Sequence, residues 1–264
     1  MSIRFTLFIL FVSTFFSQDI IIRQLANEGI WIRSESVNII IDGLFKREYE
    51  QFSVLTEDQI SLINQGSADF PSADLILASH IHGDHYNKDL VGDYLSIHKQ
   101  SKFISVNAVF RDLQNHSKFT SFEDRVQAII PAMNKQFKVT ISGIDLVIMR
   151  FPHVGSEPLN LTESIVFMVK LNDKKIVHFG DADLRQSSIE PFQEILKNCD
   201  LAIMPYWNFI EETNQTLLMD LIKSKRYVLS HIPVNSQDNV KQKFQDDDQI
   251  TVFTDFQQTI ILND

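Results

Sequence analysis

One cysteine stands in 264 residues, Cys199, so no intrachain disulfide can form and the fold must rest on its core and on what it binds. Eight glycines and seven prolines are scattered, which leaves no linker and no low-complexity tract to divide the chain. Lysine and arginine number 24 against 34 acids, a formal net charge of -10, and they form no run able to follow a phosphate backbone. Nucleic acid is therefore not an expected partner. The apolar stretch from Phe5 to Phe16 covers only 12 residues, short of the roughly 20 that a membrane-spanning helix needs.

That stretch follows a single cation, Arg4, and precedes the pair Ser17-Gln18. Charge, then apolar run, then small residues is the order of a secretory signal. Residues 1–17 are read as a signal peptide cut after Ser17, and residues 18–264 as one domain. The mature protein is expected to be exported, periplasmic or secreted, without a membrane span, and its net charge moves from -10 to -11.

What is present is 44% hydrophobic, enough for a sizeable core. Short β-branched runs at 20–23, 29–33 and 37–41 predict a meander ending at Asp42-Gly43, and Thr56 to Ile63 a short helix. A strand at 74–78, a helix at 88–98 capped by Asn87, a strand at 103–106 and a helix at 107–115 follow. Further strands are expected at 126–130, 137–141, 145–151, 164–171, 175–179, 201–204, 227–230, 251–253 and 258–262, with helices at 189–197 and 212–223. The fold class is α+β: an αββα sandwich, two mixed sheets face to face with helices on their outer faces.

The chemistry concentrates in His80-Ile81-His82-Gly83-Asp84-His85, directly after a predicted strand. In extended chain His80 and His82 project to one side, so two imidazoles can meet one ion. Gly83 allows a tight turn, after which Asp84 and His85 can face a second ion. His98 and His116 are read as surface residues, His178 as a core histidine or a support for the ligands, and Cys199 as packed.

Ser79-His80-Ile81-His82-Gly83-Asp84-His85 resembles the HxHxDH signature of the metallo-β-lactamase-like hydrolases. Later positions of that pattern are found in Phe151-Pro152-His153-Val154-Gly155, Phe179-Gly180-Asp181-Ala182-Asp183 and Leu229-Ser230-His231-Ile232-Pro233. The resemblance covers almost all of the chain after the signal. It implies one metal on His80, His82 and His153, a second on Asp84, His85 and His231, and Asp181 bridging the two. Two divalent ions are implied, zinc first, with iron or manganese open because N/O donors discriminate weakly. A hydroxide held between them would be the nucleophile, and Asp84 would orient it or carry a proton to the leaving group.

Asp42, Ser79, Tyr86 and Asp183 are expected to support the ligands, and Tyr206, Trp207 and Asn208 to form a substrate wall. A true β-lactamase is disfavoured, since the resembled lactamase branches lack a bridging carboxylate and Asp181 fills that place. On the same resemblance, the added domains of the glutathione thioesterases and of the RNA-processing members are not expected in residues 18–264. Three functions stay open: hydrolysis of a small ester, lactone or phosphodiester; nucleic-acid phosphodiester cleavage, which the acidic balance opposes; and a non-catalytic metal-binding module.

Overall fold

A computed structural model describes residues 19–46 and 49–263, so the expected signal peptide lies outside the described residues. The isoleucine-rich start makes an antiparallel meander of β1 (Ile20–Gln24), β2 (Ile30–Arg33) and β3 (Asn38–Ile41), with Ile22 opposite Ile32 and Ile32 opposite Ile39. Then come α1 (Glu57–Asn64), β4 (Leu75–Leu77), α2 (Lys88–Ile97), β5 (Lys102–Ser105), α3 (Asn107–Leu113) and β6 (Val126–Ala128). Thr56 and Gln59 close α1 with a reciprocal capping box, and the Asn87 side chain accepts from the Asp89 and Leu90 amides at the start of α2. The second half holds β7 (Gln136–Ile141), β8 (Ile144–Phe151), β9 (Ser164–Leu171), β10 (Lys174–His178), α4 (Gln186–Ile189), α5 (Gln193–Leu196) and β11 (Leu201–Pro205). It ends with α6 (Glu212–Ile222), β12 (Tyr227–Ser230), α7 (Gln237–Phe244), β13 (Ile250–Val252) and β14 (Thr259–Leu262).

Two seven-stranded mixed sheets result, in the orders β14-β1-β2-β3-β4-β5-β6 and β13-β12-β11-β10-β9-β8-β7. The period of two along a strand sorts its side chains between two cores. From β8, Ile144, Leu146 and Ile148 join the core shared with the first sheet. Val147, Met149 and Phe151 of the same strand join a second core with residues of α4 to α7. The first sheet is covered on its outer face by α2 and α3 through Leu90, Val91, Tyr94, Leu95, Val109 and Leu113. The αββα sandwich is thus the architecture of the chain.

Two helical expectations change. The helix expected at 189–197 is broken into α4, a 3-10 turn at Glu190–Phe192 and α5, because Pro191 has no amide to continue the ladder. α7 was not anticipated: its sequence is polar apart from Val240 and Phe244, which bury on one face four residues apart.

Strand direction positions the site. β3, β4, β5 and β6 run parallel, as do β10, β11, β12 and β13. β8 is antiparallel to β9, and β9 to β10, so β8 runs with β10. The C-terminal ends of β3, β4, β8, β10 and β12 therefore open on the same side of their sheets, and each is followed by residues of the motif set.

Candidate metal centre

The loops at these strand ends are laced by backbone hydrogen bonds. Asp42 N donates to Leu77 O (3.0 Å), Ile165 N to Ser79 O (3.1 Å), Val154 N to Asp181 O (2.8 Å) and Asp183 N to Pro152 O (2.8 Å). His153 and Ala182 form an isolated antiparallel bridge. After β4 the His82 carbonyl accepts from both His85 N and Tyr86 N, which turns Asp84 and His85 back beside His80. Asp42 and His231 hold left-handed backbone at φ 48° and 57°, and Gly180 does so at 51°. Only glycine fits at 180, since a Cβ would stand 2.7 Å from Ser79 Oγ.

These constraints bring the seven expected residues together. His80 Nε2 lies 3.0 Å from His82 Nδ1. Asp181 Oδ2 is 3.9 Å from His80 Nε2 and 3.7 Å from His153 Nε2. Its other oxygen, Oδ1, is 3.5 Å from His85 Nε2 and 3.4 Å from His231 Nε2. Asp84 Oδ2 stands 3.1 Å from His231 Nε2 and 3.8 Å from His85 Nε2. Donor atoms of His80, His82, His153 and Asp181 fall within 4.8 Å of one another, and those of Asp84, His85 and His231 do the same. Two ligands at about 2.1 Å from one tetrahedral ion stand about 3.4 Å apart, so both groups have the spacing of a metal site.

Their hydrogen-bond state agrees. His85 Nε2, His153 Nε2, His231 Nε2 and Asp181 Oδ1 are buried and have no hydrogen-bond partner, an expense that a cation between them would remove. Burial, reinforced by His85 and His153, pushes the His80 imidazole well below its usual pKa, and burial also lowers His82. A metal binds the unprotonated form. At His85 burial acts downward too, but Asp181, Asp42 and Asp84 outweigh it and raise the value. Burial would raise the Asp84 carboxyl, yet the His231 contact and the charge of His85 hold it at about 2.

Behind the histidines, Asp42 serves both groups. His85 Nδ1 lies 2.9 Å from Asp42 Oδ2, which also accepts from Ser79 Oγ at 2.6 Å. The Ser79 hydroxyl in turn lies 2.9 Å from His80 Nδ1, and Ser79 N donates to Asp42 Oδ1 at 2.7 Å. His153 Nδ1 donates to Val154 O at 2.6 Å. Each contact orients an imidazole through the nitrogen turned away from the cluster. Burial would raise Asp42, but its bonds from His85 and Ser79 and the nearby His178 keep it below the usual range.

The description "Beta-lactamase superfamily domain" matches residues 38–232, which contain all seven clustered residues. The chain belongs to the beta-lactamase superfamily. Among solved structures it is similar to Igni18, a metallo hydrolase from the archaeon Ignicoccus hospitalis (17% identity, 92% of this chain and 98% of that one, TM-score 0.61). It is also similar to an isothiocyanate hydrolase from Delia radicum gut bacteria (10% identity, 92% and 100%, TM-score 0.65). A third is CmlA, a diiron β-hydroxylase from Streptomyces venezuelae (10% identity, 93% and 54%, TM-score 0.58). At such identities the likeness is one of fold. No curated protein matches in sequence.

Other expected residues of this superfamily member are placed differently. Tyr86 stacks on Phe103 in the first core, and its phenol, raised by burial and by Asp112, faces away from the histidines. Asp183 pairs with Arg185 at the surface and touches no histidine of the cluster. Asn208 is buried and donates to Pro205 O, holding its own 3-10 turn. Tyr206 packs against the second core and Trp207. Trp207 does reach the site, at 5.0 Å from the His231 ring, with Phe52 on another side of that ring at 4.3 Å. His116 is buried against Gly92 and Phe122, where a surface position was expected; His98 is half-buried, its Nε2 donating to Asn64 O. His178 is fully buried, donates to Glu28 O at 3.0 Å and lies 4.0 Å from Asp42 Oδ2.

Glu28 is the residue that sequence reasoning missed. Its carboxylate is fully buried, 3.6 Å from His85 Nδ1, and accepts from Ser230 Oγ at 3.4 Å. Burial pushes it well above the usual carboxylate range, against a lowering by His85. Beside it, Asn27 Nδ2 reaches Asp84 Oδ2 at 3.5 Å.

The ligand cluster floors a cavity of about 330 Å³. Tyr49, Phe52, Val154 and Leu159 provide its apolar wall, and Gln51 an uncharged polar group.

Proposed function

We propose that this chain is a metal-dependent hydrolase that uses a water-derived nucleophile to cleave a small ester, lactone or phosphodiester. The observation that carries the reading is Asp181: its two carboxylate oxygens face separate histidine groups, Oδ2 toward His80 and His153, Oδ1 toward His85 and His231. His80, His82 and His153 would hold one divalent ion, Asp84, His85 and His231 another, with Asp181 shared. Zinc suits this imidazole and carboxylate set, and iron is the second choice, a metal that the name of the structurally similar CmlA also carries. Two ions bound there would supply a hydroxide at neutral pH and a Lewis acid for the substrate oxygen.

The chain's own groups do the rest. Asp84, kept ionised and beside His231, can accept a proton from the attacking water and return it to the leaving oxygen. Asp42 and Ser79 fix the imidazoles, so the donor set does not reorganise during reaction. Phe52 and Trp207 shield His231 from water. The acidic composition favours small substrates over nucleic acid, and the order of residues 1–17 favours export. A panel of chromogenic esters, lactones, thioesters, phosphodiesters and β-lactams, with Asp181→Ala as control, tests the reading: cleavage lost in the variant is expected, and unchanged cleavage overturns the shared role.

A further inference from the structure

We propose that the substrate is a small, uncharged carboxylic ester or lactone carrying an aliphatic or aryl group, and not a phosphodiester; this rests on the hydrolase reading above. The cavity over the ligand cluster decides between the two. Among the described residues that line it, the only ionisable groups that can bear charge near neutral pH are members of the cluster itself, His82, Asp84, His153, Asp181 and His231. No lysine or arginine is among them. A phosphodiester keeps its negative charge through the reaction, and sites that select it surround it with guanidinium or ammonium donors beyond the metals. Among the described residues, the groups beyond the ligands are Tyr49, Gln51, Phe52, Val154, Gly155 and Leu159.

The mouth continues the same chemistry. Leu159 is 49% exposed and Tyr49 40%. Leu159 and Tyr49, both lining the cavity and both partly exposed, form a surface that gains by covering an apolar group. At about 330 Å³ the cavity is near the lower end of small-molecule sites, roughly 300–1,000 Å³. The acyl carbon would sit over Asp84 and Asp181, with its apolar substituent toward Phe52 and Leu159. In the reaction a water oxygen bonds to the acyl carbon and the bond to the alcohol oxygen breaks. One water proton goes to the departing alkoxide, giving an acid and an alcohol.

The test uses the full mature chain after zinc reconstitution. kcat/KM is compared for 4-nitrophenyl acetate, butyrate and hexanoate and for bis(4-nitrophenyl) phosphate. Binding of butyranilide, hexananilide and diphenyl phosphate is followed in parallel by calorimetric titration. Ester kcat/KM is expected to rise with chain length, by up to about fourfold per methylene while the group still fits, and mainly through KM. Anilide affinity should rise in step, and both phosphates should be the poorer ligands. Leu159→Ser and Tyr49→Ser, at partly exposed positions that do not threaten the fold, should flatten that slope. Preferred cleavage or binding of the phosphates, or a slope that neither variant changes, overturns the proposal. If the zinc-bound protein cleaves nothing, the hydrolase reading fails, and the titrations still decide whether the cavity takes uncharged apolar ligands.

Discussion

His85 Nδ1 stands 2.9 Å from Asp42 Oδ2, the oxygen that also accepts from the Ser79 hydroxyl beside His80. One buried carboxylate thus orients an imidazole in each half of the centre. Loss of such support typically costs roughly 10 to 100-fold in metal affinity, and Asp42→Ala should fall in that range for each of the two proposed ions. Competition with a chromogenic chelator measures it. Wild-type affinity in the variant would mean that the two histidines are held by something else.

Gly180 lies between β10 and Asp181, in left-handed backbone against Ser79. Gly180→Ala should lose about 1–2 kcal/mol from the backbone alone, with more from the contact at Ser79. The same shift displaces Asp181, so activity should fall further than stability. Urea denaturation and a rate assay on one preparation separate the two effects.

Much of the site was legible because the chemistry of ligands is local. His80 to His85 fit one turn of chain, and His153, Asp181 and His231 each follow a β-branched or aromatic strand whose end can be read from its own residues. The sandwich was legible for the same reason, as strands alternate with the few helices that their burial requires. What failed was non-local. Glu28 sits in a turn 57 residues before His85, and nothing in Asn27-Glu28-Gly29 announces that it lies under a histidine; a buried acid between two strands of an isoleucine meander was the only signal. Tyr86 and Asp183 neighbour ligands in sequence, but the turn at His82 to Tyr86 and the Arg185 pair send them elsewhere. The apolar wall of the cavity comes from Phe52 and from the loop of Leu159, segments too polar and irregular to predict contact.

The pair of buried Asp200 and exposed Lys225 gives a pH signature away from the ligand cluster. Burial would raise the Asp200 carboxyl, but bonds from Lys225 (2.8 Å) and from Lys175 N (2.8 Å) hold it below its usual value. A carboxylate lowered in the folded state stabilises above its unfolded pKa, about 3.9, and that contribution is lost as pH falls through the lower folded value. Asp200→Asn should therefore be less stable than wild type above about pH 5, by an amount that does not change with pH, and the gap should narrow below pH 4. A constant gap down to pH 2 in thermal melts would contradict the pairing.

Cys199 is fully buried, and burial raises its thiol to about 11. At pH 8 only about one part in a thousand is thiolate, and that fraction is out of reach of reagent. Native protein should leave Ellman's reagent uncoloured for an hour and react at once in guanidinium. Rapid reaction of the native form would show that the second core opens around β11.

The proposed two-ion site is tested most directly by metal content. After zinc reconstitution and gel filtration, plasma mass spectrometry of the purified protein should find about two ions per chain in wild type and about one or fewer in Asp181→Ala. Fewer than one ion per wild-type chain, or equal content in the two proteins, would contradict a centre shared through Asp181.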